Sequence, residues 1–160
     1  MWKIFKGAEI AEFAVRIEQN GYTFYDKAAA HIQNPAAREL LDFLKEEELK
    51  HEKLFRDLMG TLTPANLRET YEGEYEEYLK ALVDNHVFGA VGSAEKALSR
   101  LADEIDVINT AIGFEKDTIL FFRELLDLVS EKDRQVVEQL IEEEKSHLRK
   151  LAIIKGELCR

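Results

Sequence analysis

In EEELKHEKLF, residues 46–55, a histidine follows a glutamate by three positions, and EEEKSHLRKL, residues 142–151, repeats the step. Residues three apart share one face of a helix, so Glu48 with His51, and Glu144 with His147, can each aim a carboxylate and an imidazole at one point. That chemistry suits a metal cation or a shared proton. Each step interrupts an apolar stripe: Leu44, Glu48, His51, Phe55, Leu58 in one case, and Val137, Leu140, Glu144, His147, Leu151, Ile154, Leu158 in the other. Two further stripes carry one glutamate each, Glu18 among Ala11, Ala14, Tyr22, Tyr25 and Ala29, and Glu115 among Ile108, Ala111, Phe122 and Leu126.

Carboxylates buried together lose hydration and repel, so they must take up protons or gain a counter-charge. Two divalent cations would balance four carboxylates joined by two neutral imidazoles. Four oxygen donors with two nitrogen donors suit iron or manganese by ligand type, and zinc competes on raw affinity. The metal-free alternative is a bundle whose glutamates share protons. A single Glu-x-x-His step in an acidic helix arises readily by chance, and a lone buried histidine is more often a bonded core residue. Two such steps, each matched by a glutamate on the partner helix, favour metal.

The positioning elements follow from the apolar spacing of three and four and from the scarcity of breakers, with two prolines and eight glycines in 160 residues. Long helices are expected over about 8–31, 35–59, 103–129 and 131–158. Gln33-Asn34-Pro35 stops the first and Gly60 the second, while Ser130 to Asp133 forms a capping box before the fourth. Thr63-Pro64 opens an intermediate helix to about Val83, and Gly89, Gly92 and Ser93 precede a short helix from Ala94. The organisation is a single domain, 1–160: a hairpin over 8–59, a connector over 60–102 and a second hairpin over 103–158. Glu18 and Glu48 stand about fifteen residues either side of the first turn, roughly 22 Å along each helix. Glu115 and Glu144 stand similarly about the second turn. The hairpins also align as repeats, Glu18 over Glu115 and Tyr25 over Phe122, with 30 residues from Glu18 to Glu48 and 29 from Glu115 to Glu144.

A net charge of −10 argues against nucleic acid as a partner. Glu9 and Glu12 interrupt the apolar N-terminus, and no later stretch has the roughly 20 apolar residues that span a bilayer, so the expected setting is the cytoplasm, away from membranes. Cys159 is the sole cysteine, which leaves no internal disulfide and no role for it in the chemistry. Glu46, Glu47, Glu142 and Glu143 are taken as solvated charge, with Glu47 and Glu143 available as outer partners of the histidines four residues on. His31 and His86 are taken as surface residues. Trp2, Tyr71, Tyr75 and Tyr78 are taken as core or interface aromatics, the tyrosine group covering the site or meeting a second subunit.

The six-residue pattern resembles the ferritin-like di-iron carboxylate proteins, and the phrase IEQNGYTFYDKAA, residues 17–29, resembles the rubrerythrin group among them. In that fold one glutamate from each of two helices joins a Glu-x-x-His step from each of the other two, a ligand set that general descriptions of these bundles already record. The resemblance implies an all-α, ferritin-like four-helix bundle of two hairpins joined by a long crossover containing an extra helix. It implies two iron ions held by Glu18, Glu48, His51, Glu115, Glu144 and His147, with Glu48 and Glu144 bridging and Tyr25 as a tyrosine bonded behind the ligands. The implied activity is oxidoreductase chemistry on peroxide or oxygen, with iron binding or ferroxidase handling as the alternative. Rubrerythrins carry a four-cysteine rubredoxin-like tail, which is lacking here, so the implied reductant is an external protein such as a rubredoxin. They also carry an additional glutamate one turn from the third-helix ligand, where this chain has Ile112 and Thr118. A homodimer is the implied assembly.

Overall fold

The computed structural model describes residues 7–58 and 70–160 and is all-helical among them. Helices α1 (Gly7–Ala28) and α2 (Pro35–Leu58) form the first hairpin, with a 3₁₀ turn over Ala29–His31, and α5 (Glu104–Leu125) and α6 (Glu131–Leu158) form the second. Between them lie α3 (Glu74–Asn85) and α4 (Ser93–Leu98). Among the described residues no helix is long and apolar enough to cross a membrane.

The turns of both hairpins are built from side-chain caps. Asn34 Oδ1 accepts from the Ala37 N–H at 3.0 Å, so Pro35, which ends the preceding segment, is also the first residue of α2. Glu104 Oε1 accepts from the backbone N–H groups of Gln33 and Asn34, tying the first turn to the start of α5. At the second turn Ser130 Oγ accepts from the Asp133 N–H as expected of the cap, but the Asp133 carboxylate accepts from the Ser130 hydroxyl in place of the backbone N–H of a capping box. Asp103 caps α5 in the same manner through the Asp106 N–H.

Tertiary partners give the helix order. The turn that follows α1 meets the start of α5 at Glu104, and Phe13 near the start of α1 packs edge-on against Phe121, so α1 and α5 are antiparallel. Phe43 meets Lys150 and His51 meets Glu143, so α2 and α6 are antiparallel too. A core of fully buried residues, including Ile17, Phe24, Tyr25, Leu41, Leu44, Ile108, Phe114, Phe122, Val137 and Leu151, fills the space between the four.

The connector departs from the expected one. Thr63 and Pro64 lie outside the described residues, as do Trp2, Met59 and Gly60. Residues 70–73 are bend and turn, and α3 begins only after Gly73, which takes φ +88° as its N-cap. Glycine adopts that left-handed conformation without strain, so it interrupts what reads as a continuous helical pattern. Tyr71 and Tyr78 are exposed, and Tyr78 donates to Glu124 at 3.2 Å. Glu124 is nine residues along α5 from Glu115, so this aromatic group does not cover the seam of glutamates.

Candidate metal centre

Glu18, Glu48, Glu115 and Glu144 are each 0% exposed, and His51 and His147 are each 2% exposed. One donor atom from each of Glu18, Glu48, His51 and Glu144 falls within 4.8 Å of the others, and Glu48, Glu115, Glu144 and His147 form a second group by the same measure. Glu48 and Glu144 belong to both groups. The inner geometry repeats between hairpins. His51 Nδ1 lies 2.8 Å from Glu144 Oε1 and 3.6 Å from Glu18 Oε2, while His147 Nδ1 lies 3.0 Å from Glu144 Oε2 and 3.7 Å from Glu115 Oε2. The two imidazoles stack with centroids 5.8 Å apart and planes 19° from parallel.

Local sequence explains how the donors meet. The three-residue step puts Glu48 beside His51 and Glu144 beside His147 on the inward faces of α2 and α6. Gly21, one turn beyond Glu18, provides room: a Cβ there would stand 2.6 Å from Phe114 Cζ and 2.9 Å from Glu48 Oε2. Tyr25, fully buried, donates its hydroxyl to Glu115 Oε1 at 2.5 Å. Outside the cluster, Glu143 Oε2 lies 3.0 Å from His51 Nε2, and Gln139 donates to Glu143 Oε1 at 3.0 Å.

Without counter-ions, the electrostatics are those of a cluster short of positive charge. Burial lifts Glu48 well above the usual carboxylate range, and the neighbouring charges of Glu18 and Glu144 add to it. Burial and the Glu144 charge lift Glu115 to about 8. Burial also raises Glu18, with the nearby His51 imidazole acting against it. Glu144 alone of the four is held below its usual range, because the two imidazoles outweigh its burial. Burial opposes charge on both histidines as well. The bond to Glu143 and the close approach of Glu144 nevertheless hold His51 well above its usual range, and Glu115 and Glu144 raise His147 to about 10. Protons therefore do what counter-ions would otherwise do.

Hydrogen bonding tests whether the residues suit a metal. Both oxygens of Glu18, both of Glu48, Glu115 Oε2, Glu144 Oε1 and His51 Nδ1 are buried without a hydrogen-bond partner. Buried polar atoms are nearly always satisfied, so a group of orphans from residues that face one another calls for a common partner. His51 Nδ1 and Glu144 Oε1 approach to 2.8 Å without hydrogen-bond geometry, as donors converging on a third centre do. Oxygen-rich donors with two imidazoles fit a pair of divalent cations.

The expected surroundings are partly revised. Glu46 and Glu142 are exposed, and Glu142 pairs with Lys145. Glu143 does serve a histidine, but that histidine is His51 on α2 and not His147 four residues along its own helix. His31 is exposed, whereas His86, expected at the surface, is only 7% exposed. Its Nδ1 accepts from the Phe88 N–H at 3.1 Å, its Nε2 lies 3.3 Å from Thr118 Oγ1, and Phe13 and Phe114 stand edge-on to it. Thr118, one of the two positions three residues from Glu115, is thus engaged with the connector. Sequence reading singles out neither Gly21 nor Gln139, and it places His86 at the surface. Only Gly21 left a signal, a breaker inside a strongly helical run one turn from Glu18.

A family model described as Rubrerythrin matches residues 9–155. A solved structure from Thermotoga maritima, described as a ferritin-like diiron-carboxylate protein, is 27% identical, with a TM-score of 0.69 over 98% of this chain and 99% of that one. No curated protein matches significantly. The fold is ferritin-like, and the chain belongs to the rubrerythrin family.

Proposed function

We propose that this chain is a di-iron carboxylate oxidoreductase that reduces peroxide or dioxygen with electrons from a separate donor. The observation that carries the reading is the buried cluster of six carboxylate and imidazole residues on four helices, five of which hold atoms without a hydrogen-bond partner. Glu18 and His51 would complete one metal position and Glu115 and His147 the other, with Glu48 and Glu144 bridging because each belongs to both donor groups. Iron, with manganese or zinc as other occupants, suits this donor set, and the Thermotoga relative's description as a diiron-carboxylate protein agrees.

When bound, the metal pair supplies one-electron redox steps and open coordination positions for a small oxidant. The protein's residues set the conditions for that chemistry. Glutamate side chains can shift between one-oxygen and bridging attachment as the charge they face changes. Tyr25 keeps a proton at Glu115 Oε1, since burial and the Glu115 charge push its phenol well above the usual range. It is therefore a hydrogen-bond donor throughout the neutral range. Phe24, Phe55, Phe114 and Phe122, all but fully buried, keep bulk water from the cluster. The electron donor we propose is a partner such as a rubredoxin; Cys159, the one cysteine of these 160 residues, lies exposed beyond the end of α6.

The test is an anaerobic Fe(II) titration followed by a peroxide pulse and then a reduced donor. The reading expects about two irons per chain, complete oxidation by peroxide, and repeated turnover with the donor. Uptake and oxidation without turnover would mean ferroxidase or iron-handling chemistry. Absence of uptake would remove the metal reading altogether.

A further inference from the structure

The two histidines of the cluster are alike on their inner edges and unlike on their outer ones. Each turns Nδ1 toward Glu144 and one lone glutamate. On the outer edge His51 Nε2 meets Glu143, itself held by Gln139, and Glu47 brings a second carboxylate within 4.8 Å. The correspondence that sets His51 over His147 sets Glu47 over Glu143 and Phe43 over Gln139. On α2, however, those positions serve other ends. Glu47 pairs with Lys50. Phe43 stands edge-on to His147, centroids 5.9 Å apart and planes at 87°, and the Lys150 ammonium sits 4.0 Å from the Phe43 centroid. Among the described residues no carboxylate bonds Nε2 of His147.

The lone glutamates differ in the same sense. Neither oxygen of Glu18 has a hydrogen-bond partner, whereas Oε1 of Glu115 is engaged by Tyr25. Phe122, the counterpart of Tyr25, has no hydroxyl to offer Glu18. A carboxylate on the outer N–H of an imidazole fixes its tautomer and ring orientation and makes the inner nitrogen a stronger donor. A phenol bonded to a carboxylate oxygen draws electron density away from it. Both differences strengthen the first metal position relative to the second.

We propose that the two metal positions are unequal: Glu143 is a positioning residue that makes the Glu18–His51 position tight and first-filled, while the Glu115–His147 position fills second. The proposal rests on the metal-binding reading above and goes beyond it by ranking the positions.

The test is stepwise addition of MnCl₂ to metal-free protein, followed by calorimetry and by electron paramagnetic resonance. The wild type should bind in two resolved steps, with the spectrum of an isolated Mn(II) at one equivalent giving way to that of a coupled pair at two. Glu143→Gln should weaken the first step by about 10- to 100-fold and lead the steps to merge, while its unchanged helical spectrum and melting confirm folding. Glu142→Gln removes the same charge from an exposed neighbour of Glu143 that pairs with Lys145, and should change neither step by more than about threefold. A coupled pair from the first addition in the wild type, or a first step unaffected by Glu143→Gln, would overturn the proposal and leave the metal reading standing. No binding by the wild type would end both.

Discussion

Tyr25 on α1 donates its hydroxyl to Glu115 on α5 at 2.5 Å, joining the two hairpins through the centre of the cluster, while Phe122, its counterpart on α5, packs against Phe55 with centroids 4.9 Å apart. Only one of the two lone glutamates is therefore tied to a phenol. Removing that hydroxyl leaves Glu115 Oε1 without a donor in a fully buried site. Tyr25→Phe should lower the stability of chelated protein by about 0.5–2 kcal/mol, read from denaturant unfolding. An unchanged midpoint and slope would show that the bond contributes nothing net.

Gly21 and Gly156 should respond to alanine with opposite signs. Alanine in a helix interior is favoured over glycine by about 1 kcal/mol, which is the whole effect where space is open. Gly156 on α6 has nothing within 4 Å of an added Cβ, so Gly156→Ala should raise the melting midpoint. At Gly21 the added carbon would meet Phe114 at 2.6 Å and 2.8 Å, and Glu48 Oε2 at 2.9 Å. Phe114 is fully buried between the hairpins, so neither neighbour can swing into solvent. Overpacking costs of about 1–3 kcal/mol outweigh the helix gain. Gly21→Ala should thus lower the midpoint and weaken metal uptake, and a raised midpoint with intact uptake would show that the core yields there.

The contrast between what spacing reveals and what it hides runs through these residues. Glu48, His51, Glu144 and His147 were legible because helical periodicity fixes which residues share a face, and because an acid in an apolar stripe is conspicuous. Ser130 and Asp133 were legible as a cap, since that bond is local. Glu143 shows the limit: sequence distance suggests His147, but the antiparallel packing of α2 on α6 brings it to His51. His86 reads as a loop residue, and its burial depends on Phe13, Phe114 and Thr118, far away in the chain. Gly73 reads as a tolerable glycine in a helical run, and only its positive φ makes it a boundary.

The connector is held at the level of the cluster by Asn20, whose Nδ2 donates to Phe88 O at 2.7 Å and Ala90 O at 2.9 Å. Phe88 packs on Phe24 and Phe114, both neighbours of Tyr25. Asn20→Ala removes the donor from two carbonyls and should cost about 1–3 kcal/mol. Amide exchange should accelerate over residues 86–90 more than in the hairpins. Uniform acceleration throughout would show that the strap is no more than one contribution to global stability.

Metal removal and pH should act on the same atoms. In the metal-free cluster Glu115 is raised to about 8 and His147 to about 10, and Glu48 and His51 also titrate above their usual ranges. Each such group stabilises the fold fully below its unfolded value and loses that contribution as pH rises through its folded one. Glu115 therefore loses its share between about 4.5 and about 8, and His147 between about 6.5 and about 10. Groups shifted the other way are silent in the upper part of this range. Glu144 is ionised in both states there, and His86, lowered to about 4 by burial, is neutral in both once the pH is above the ordinary histidine value of 6.5. The melting midpoint of chelated protein should fall steadily from about pH 7 to about pH 8.5. Bound cations replace the protons and require ionised carboxylates and neutral imidazoles, so the midpoint of Mn(II)-loaded protein should stay nearly level and the gap between the two should widen with pH. Binding should also release protons into weakly buffered solution, more at about pH 7 than at about pH 8.5. A chelated protein whose midpoint holds or rises across this window would mean that the four glutamates and two histidines do not share protons as their burial and spacing require.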